Sequence, residues 1–380
     1  LEIFAPAGEG SGEPFLSSAG DTVYLSWLEA RGGGLHELRF ARWVNGSWGE
    51  PRVIAARPDF FVNWADFPSI APGPGGVVWA HWLERGAHGG YDYGIRVVRS
   101  GDGGRTWSKP WTPHEDGTPT EHGFLSTVPL DDGIGFLWLD GRQLAGGSGG
   151  VASGDMALYF RAASVAGAPG PETLVDTRVC DCCQTDLALA ASGPVAVYRD
   201  RSPEEIRDVY VTRLVGGVWT PGVPVHEDGW QTGACPVNGP AVAARHERVA
   251  VAWFTAAGGV PRVKVAFSDD SGSRFGKPVV VDDGNPAGRT DLLMLEDGGI
   301  LVSWLERTGG EAADVRVRHV SPGGVLGPSA SVSASSAERA SGFPRLARTE
   351  GGVVLAAWTD ATNVRTRVRV ARIHVVQEAR

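Results

Sequence analysis

One pattern recurs seven times along this chain and restricts its possible folds more than any other feature. An aromatic residue closes an apolar run and an acid follows two positions later: YLSWLE (Trp27, Glu29), WAHWLE (Trp82, Glu84), GFLWLD (Trp138, Asp140), VAVYRD (Tyr198, Asp200), LVSWLE (Trp304, Glu306) and LAAWTD (Trp358, Asp360). The remaining copy, VAVAWFT at Trp253, carries Thr255 where the acid would stand. The aromatic positions lie 51 to 60 residues apart, and a regular interval of this kind marks a repeat architecture.

A second run with period-two alternation follows each copy: LRFARW, IRVVRS, LYFRAA, VYVTRL, VKVAFS, VRVRHV and VRVARI. Such alternation reads as a half-buried strand. After six of them comes a turn and a short strand, as in NGSWGEPRVIA and GSRFGKPVVVD; after the seventh the chain ends. The N-terminal LEIFAPA would supply the missing outer strand and remove two exposed sheet edges. The expectation is an all-β, seven-bladed β-propeller of four-stranded antiparallel blades, one domain over residues 1–380. The 54 Gly and 25 Pro against only 2 Met suit turns and strands rather than long helices. The repeated Trp is expected to pack between blades.

Residues 100–107 read SGDGGRTW, and residues 268–275 read SDDSGSRF, which keeps Ser268, Asp270 and Gly272 but replaces the last two positions with Arg274 and Phe275. Asp and Ser can bond backbone groups of their own turn, Gly permits positive φ, and the aromatic anchors the turn in its blade. The Ser-x-Asp-x-Gly-x-Thr-Trp pattern resembles the Asp-box of sialidase-like (BNR-repeat) propellers. That resemblance implies a propeller, with a six-bladed sialidase-type ring as the alternative count, and it implies Asp-boxes that are structural and face away from the active site. It would also imply a Phe-Arg-Ile-Pro segment and a late nucleophilic Tyr. The first is absent and no tyrosine follows Tyr210, so no sialidase catalytic residue is carried onto this chain.

In a propeller the loop entering each blade's first strand reaches the mouth of the central channel. These loops contain FVNWADFPS (61–69), PTEHGFLST (119–127), RVCDCCQTD (178–186), GWQTGACPVNGP (229–240), NPAGRTDLL (285–293) and RASGFPRLA (339–347). They gather Trp64, Trp230, Asn238, Arg289 and Asp291 as candidate ligand-binding residues, and Asp66, Glu121 and Asp186 as candidate catalytic carboxylates. The alternative is that these polar groups satisfy backbone hydrogen bonds in tight loops.

Three of the four cysteines, Cys180, Cys182 and Cys183, fall within four positions, and Cys235 stands alone. Both loops precede first strands of neighbouring blades, the fourth and fifth, so the sulfurs are expected to meet near the axis. Three chemistries are open. Structural disulfides have three possible pairings. A thiolate site would select a soft or borderline ion, copper first and zinc second, with His122 or Asp181 completing the shell. A strained vicinal Cys182–Cys183 disulfide would serve a redox role.

The formal net charge of −9 and the lack of a Lys/Arg run speak against nucleic acid as a partner. No apolar run reaches the roughly 18 residues that a membrane-spanning helix needs. The chain opens at Leu1, read here as a mature secreted or periplasmic form. The leading functional expectation is an exported propeller that binds a soft metal or a small ligand at the channel mouth. The alternatives are a glycoside hydrolase, with a metal-dependent oxidoreductase as a further enzyme class, and a protein-interaction platform.

Overall fold

Each repeat folds as its alternation predicts, into an antiparallel sheet whose strands run outward from the axis. The computed structural model describes residues 1–146 and 154–375. Seven sheets form, six of them in the order first, second, third, outer strand and that of blade two with the first three alone. The first strands are Ser11–Ala19, Ser69–Pro72, His122–Leu130, Asp186–Ala190, Ala241–Arg245, Pro286–Met294 and Arg345–Arg348. Neighbouring first strands touch in sequence around the ring, and Ser11–Ala19 touches Arg345–Arg348. Seven blades therefore close the circle, not the six of the sialidase-type alternative.

The closure is as expected. Glu2 and Ile3 pair with Ala371 and Val370, so the N-terminal strand is the outer strand of blade seven. Blade two departs from the four-strand plan: its outer position shrinks to a single bridge between Val97 and Trp111, after the Asp-box turn has used the preceding residues.

All seven repeated aromatics are buried, and each packs on the blade before it. Trp27 of blade one joins Leu355, Ala357 and Val370 of blade seven. Trp138 joins Ile95 and Val97 of blade two, and Trp304 joins Ala252 and Val265 of blade five. A buried indole N–H seeks an acceptor, and in three blades the acid two positions on, which shares its strand face, supplies it, whereas the Trp82 and Trp358 N–H groups have no such partner. Trp27 donates to Glu29 at 2.8 Å, Trp138 to Asp140 at 2.8 Å and Trp304 to Glu306 at 2.6 Å. Where Thr255 replaces the acid, Asp228 from the preceding loop accepts from Trp253 at 2.7 Å.

Both Asp-box turns join a third strand to the outer position. In the first, Ser100 donates to Asp102 at 2.8 Å and accepts from the Gly104 N–H, while Asp102 accepts from the Thr106 N–H and hydroxyl. Ser268 and Asp270 repeat the core of this arrangement. Strand directions alternate, so these turns lie at the opposite end of the blades from the loops that enter the first strands. The turns between second and third strands share the channel-mouth end with those entry loops.

Candidate functional site: a sulfur cluster at the channel mouth

The entry loops of blades four and five do converge. Cys180 and Cys183 are buried, Cys182 is half-buried and Cys235 is exposed. The Cys180 sulfur lies 3.5 Å from that of Cys183 and 3.8 Å from that of Cys182. The ligand atoms of Cys180, Cys182 and Cys183 all lie within 4.8 Å of one another, and so do those of Asp181, Cys182 and Cys235. All four cysteines are free. The disulfide alternatives, structural or vicinal, are thus not the state of this structure, because a bonded pair would stand about 2.05 Å apart.

These spacings have a simple geometric meaning. Thiolates at roughly 2.3 Å from a zinc ion sit about 3.8 Å apart in a tetrahedron and about 4.0 Å apart in a trigonal plane. The cluster is therefore spaced as sulfurs around one ion would be. Cys235 meets only part of the expectation, for it reaches Cys182 and Asp181, and among the described residues no ligand group joins it to Cys180 and Cys183.

A cation stands behind the sulfurs. Arg207 donates from Nη1 to the Cys180 sulfur at 3.3 Å, and its other bonds go to Asp181 and Glu205. Hydrogen bonds with the neighbouring Cys182 and Cys183 sulfurs hold the Cys180 pKa well below the ordinary thiol range, and the Arg199 charge adds to the effect. Arg199 is itself buried and donates to three backbone carbonyls, those of Arg207, Asn238 and Phe254. Its own carbonyl accepts from the Cys180 N–H at 2.9 Å, so Arg199 ties the two cysteine loops together. Arg207 lies in the turn between second and third strands of blade four, a class of loop on the same face that the entry-loop reading passes over.

His122 is placed elsewhere. Its ring stacks on His114 with centroids 3.9 Å apart, Nδ1 bonds the Thr120 carbonyl at 3.0 Å and Nε2 bonds Asp116 at 2.9 Å. Burial, the largest single influence, lowers the pKa of this ring, but the bond to Asp116, the nearby Asp140 and Asp116 charges and the Thr120 carbonyl together outweigh it and raise it. The ligand atoms of His114, Asp116 and His122 form a group of their own, all within 4.8 Å of one another. The structure gives His122 to this group and not to the sulfur shell.

The carboxylates also have partners. Tyr93, at the start of a third strand, has its hydroxyl 2.9 Å from Asp66 and 2.6 Å from Glu121. One phenol proton serves one acceptor, so the second short contact requires a proton on a carboxyl group. Burial, the largest cause in each case, pushes Asp66 up to about 8 and Glu121 up to about 7. Gly123 makes room for this trio, since a methyl there would come within 2.0 Å of Asp66 Oδ2. Asp186 accepts from the Leu187 and Val242 N–H groups, and burial likewise pushes it up to about 7.

The expected ligand-binding residues are mostly engaged within the protein. Asn238 accepts from the Arg289 N–H at 2.6 Å. The Arg289 guanidinium donates to the carbonyls of Ala337, Glu338 and Gly342 and lies 4.8 Å above the Trp64 ring. Trp64 in turn stacks on Phe343, Trp230 lies beneath Arg199, and Asp291 accepts from the Leu346 N–H. A cavity of about 40 Å³ is lined by Asp66, Gln184, Asp186 and Arg345 among others.

No family model and no curated sequence matches this chain. Solved structures do. Polysaccharide lyase Uly1 superposes with a TM-score of 0.55 at 11% identity, over 96% of this chain and 90% of that one. A protein of unknown function from Dyadobacter fermentans matches at 0.51 and 13% identity over 98% of both chains. Trypanosoma rangeli sialidase, in complex with the inhibitor DANA, matches at 0.51 and 12% identity over 87% of this chain. What these structures share with this chain is the β-propeller fold. This propeller spans 56% of the length of the Trypanosoma rangeli sialidase and 63% of that of Hadza microbial sialidase Hz136. At these identities the likeness concerns architecture, and activity is argued from the site.

Proposed function

We propose that this propeller binds a soft metal ion at its channel mouth, copper(I) before zinc, through Cys180, Cys182 and Cys183, with Cys235 and Asp181 beside them. The observation that carries this reading is the spacing of the sulfurs, 3.5 and 3.8 Å from Cys180. It is too long for a disulfide and fits a shared ion. Three thiolates in a mostly buried pocket select soft ions, and Arg207 and Arg199 offset part of their negative charge. Export to an oxidising compartment belongs to the same proposal, because a bound ion would hold neighbouring thiols against oxidation.

Glycoside hydrolysis, with Asp66 and Glu121 flanking a sugar bond, has weaker support. A hydrolase needs the space between its two carboxyls for the scissile bond, and here the Tyr93 hydroxyl fills it. Among the described residues no surface feature favours the interaction platform over the metal site.

Elemental analysis of protein purified without chelator, with a thiol count before and after reduction, tests the proposal. A stoichiometric soft metal that disappears in Cys183→Ser is the expected result. A metal-free protein whose cysteines are paired until reduced would refute it.

A further inference from the structure

The sulfur cluster contains two overlapping ligand groups rather than one. A single four-sulfur ion would require all six sulfur–sulfur separations to lie near the edge of one tetrahedron. Instead Cys180, Cys182 and Cys183 form one mutual group and Asp181, Cys182 and Cys235 another. Cys182 alone belongs to both. The first group is all sulfur, with Cys180 1% and Cys183 2% exposed. The second mixes sulfur with a carboxylate oxygen, and its Cys235 is exposed. Exposure thus rises in steps from Cys180 and Cys183 through Cys182 to Cys235.

We infer that the cluster has two metal positions, an inner one at Cys180, Cys182 and Cys183 and an outer one at Cys182, Cys235 and Asp181, with the Cys182 thiolate bridging two copper(I) ions. The inference rests on the soft-metal reading above and adds its capacity and order of filling. A thiolate sulfur keeps lone pairs after binding one ion, so a bridging role requires no further ligand. Copper(I) is content with two or three sulfur ligands, and the outer position offers two thiolates with the Asp181 carboxylate beside them. The two groups differ in the way an entry position and a holding position should differ. The exposed, mixed-ligand group is reached first from solvent, and the buried, all-sulfur group binds a soft ion more tightly. An ion arriving at Cys235 can pass inward by exchanging one ligand at a time around Cys182, with no change in the oxidation state of copper or sulfur. Each thiol that becomes a ligand releases its proton to solvent.

Anaerobic titration of the fully reduced chain with copper(I), in competition with a chromophoric copper(I) chelator of known affinity, tests this directly. Two equivalents per chain are expected, taken up in two separable steps. Cys235→Ser should lose the weaker equivalent and keep the tighter one within about threefold, and Cys183→Ser should weaken the tighter one at least tenfold. Cys235 is exposed, so its variant is not expected to misfold, and tryptophan fluorescence of each variant verifies the fold. A single equivalent abolished alike by Cys235→Ser and Cys183→Ser would overturn the two-position inference while leaving the soft-metal reading intact. No copper uptake by a protein with four titratable thiols would sink both.

Discussion

Asp186 in blade four accepts the backbone N–H of Val242 in blade five at 2.8 Å. Asp66 makes the same bond from blade two to Phe124 of blade three, and Asp291 from blade six to Leu346 of blade seven. Three aspartates at the channel wall therefore fasten alternate blade junctions, each to a residue 55 to 58 positions onward. Around this fastened wall the cysteine loops of blades four and five are held at fixed spacing.

Loss of one such fastening should loosen the ring. Asp186→Ala leaves the Val242 amide without its acceptor in a buried position, and a loss of about 1–3 kcal/mol is expected. Asp186→Asn keeps an acceptor oxygen and should lose less than half as much. Denaturant unfolding of both variants against the parent checks the order. Equal losses would assign the effect to packing alone.

The Tyr93 trio makes a prediction about pH. In an unfolded chain Asp66 and Glu121 release their protons near pH 4, whereas in the fold burial holds them until about 8 and about 7. Between these limits the native state binds more protons than the unfolded state, so this contribution to stability is full below about pH 4 and is lost as pH rises toward 8. Asp66→Asn should flatten that fall relative to the parent, measured as the difference in unfolding free energy at pH 5 and pH 8. A difference that is the same in the two proteins would show that Asp66 titrates normally.

Repeat logic predicts a rescue in blade five. Trp253 relies on Asp228, from a neighbouring loop, because its own strand carries Thr255. Asp228→Ala should cost about 1–3 kcal/mol by orphaning the buried indole N–H. Adding Thr255→Asp, which restores the acid of the other repeats, should recover a measurable part of it. Thermal unfolding of the single and double variants decides, and no recovery would mean that the acid two positions on does not act as the indole acceptor in this blade.

Much of the ring was legible in the sequence. Seven Trp or Tyr positions marked the seven blades, and LEIFAPA was recognisable as the closing strand because the last repeat lacked one. Cys235 could be placed beside Cys182 because their loops occupy equivalent positions in neighbouring repeats. Other parts had no readable signal. The partners of Asp66, Asp186 and Asp291 are backbone amides, which any residue can supply, so these aspartates looked like free carboxylates. Tyr93 and Arg207 escaped because one begins a third strand and the other stands in the turn before one, on the same face as the entry loops. His122 was expected beside the sulfurs, but its ring lies against His114 and Asp116, a neighbour only six residues earlier.

X-ray absorption at the metal edge of the protein loaded with one equivalent of copper(I) tests the central claim most directly, because it reads the atoms around the ion. The account predicts a first shell of three sulfurs around copper, reduced in number in Cys183→Ser. A shell dominated by nitrogen or oxygen, unchanged by that substitution, would contradict it.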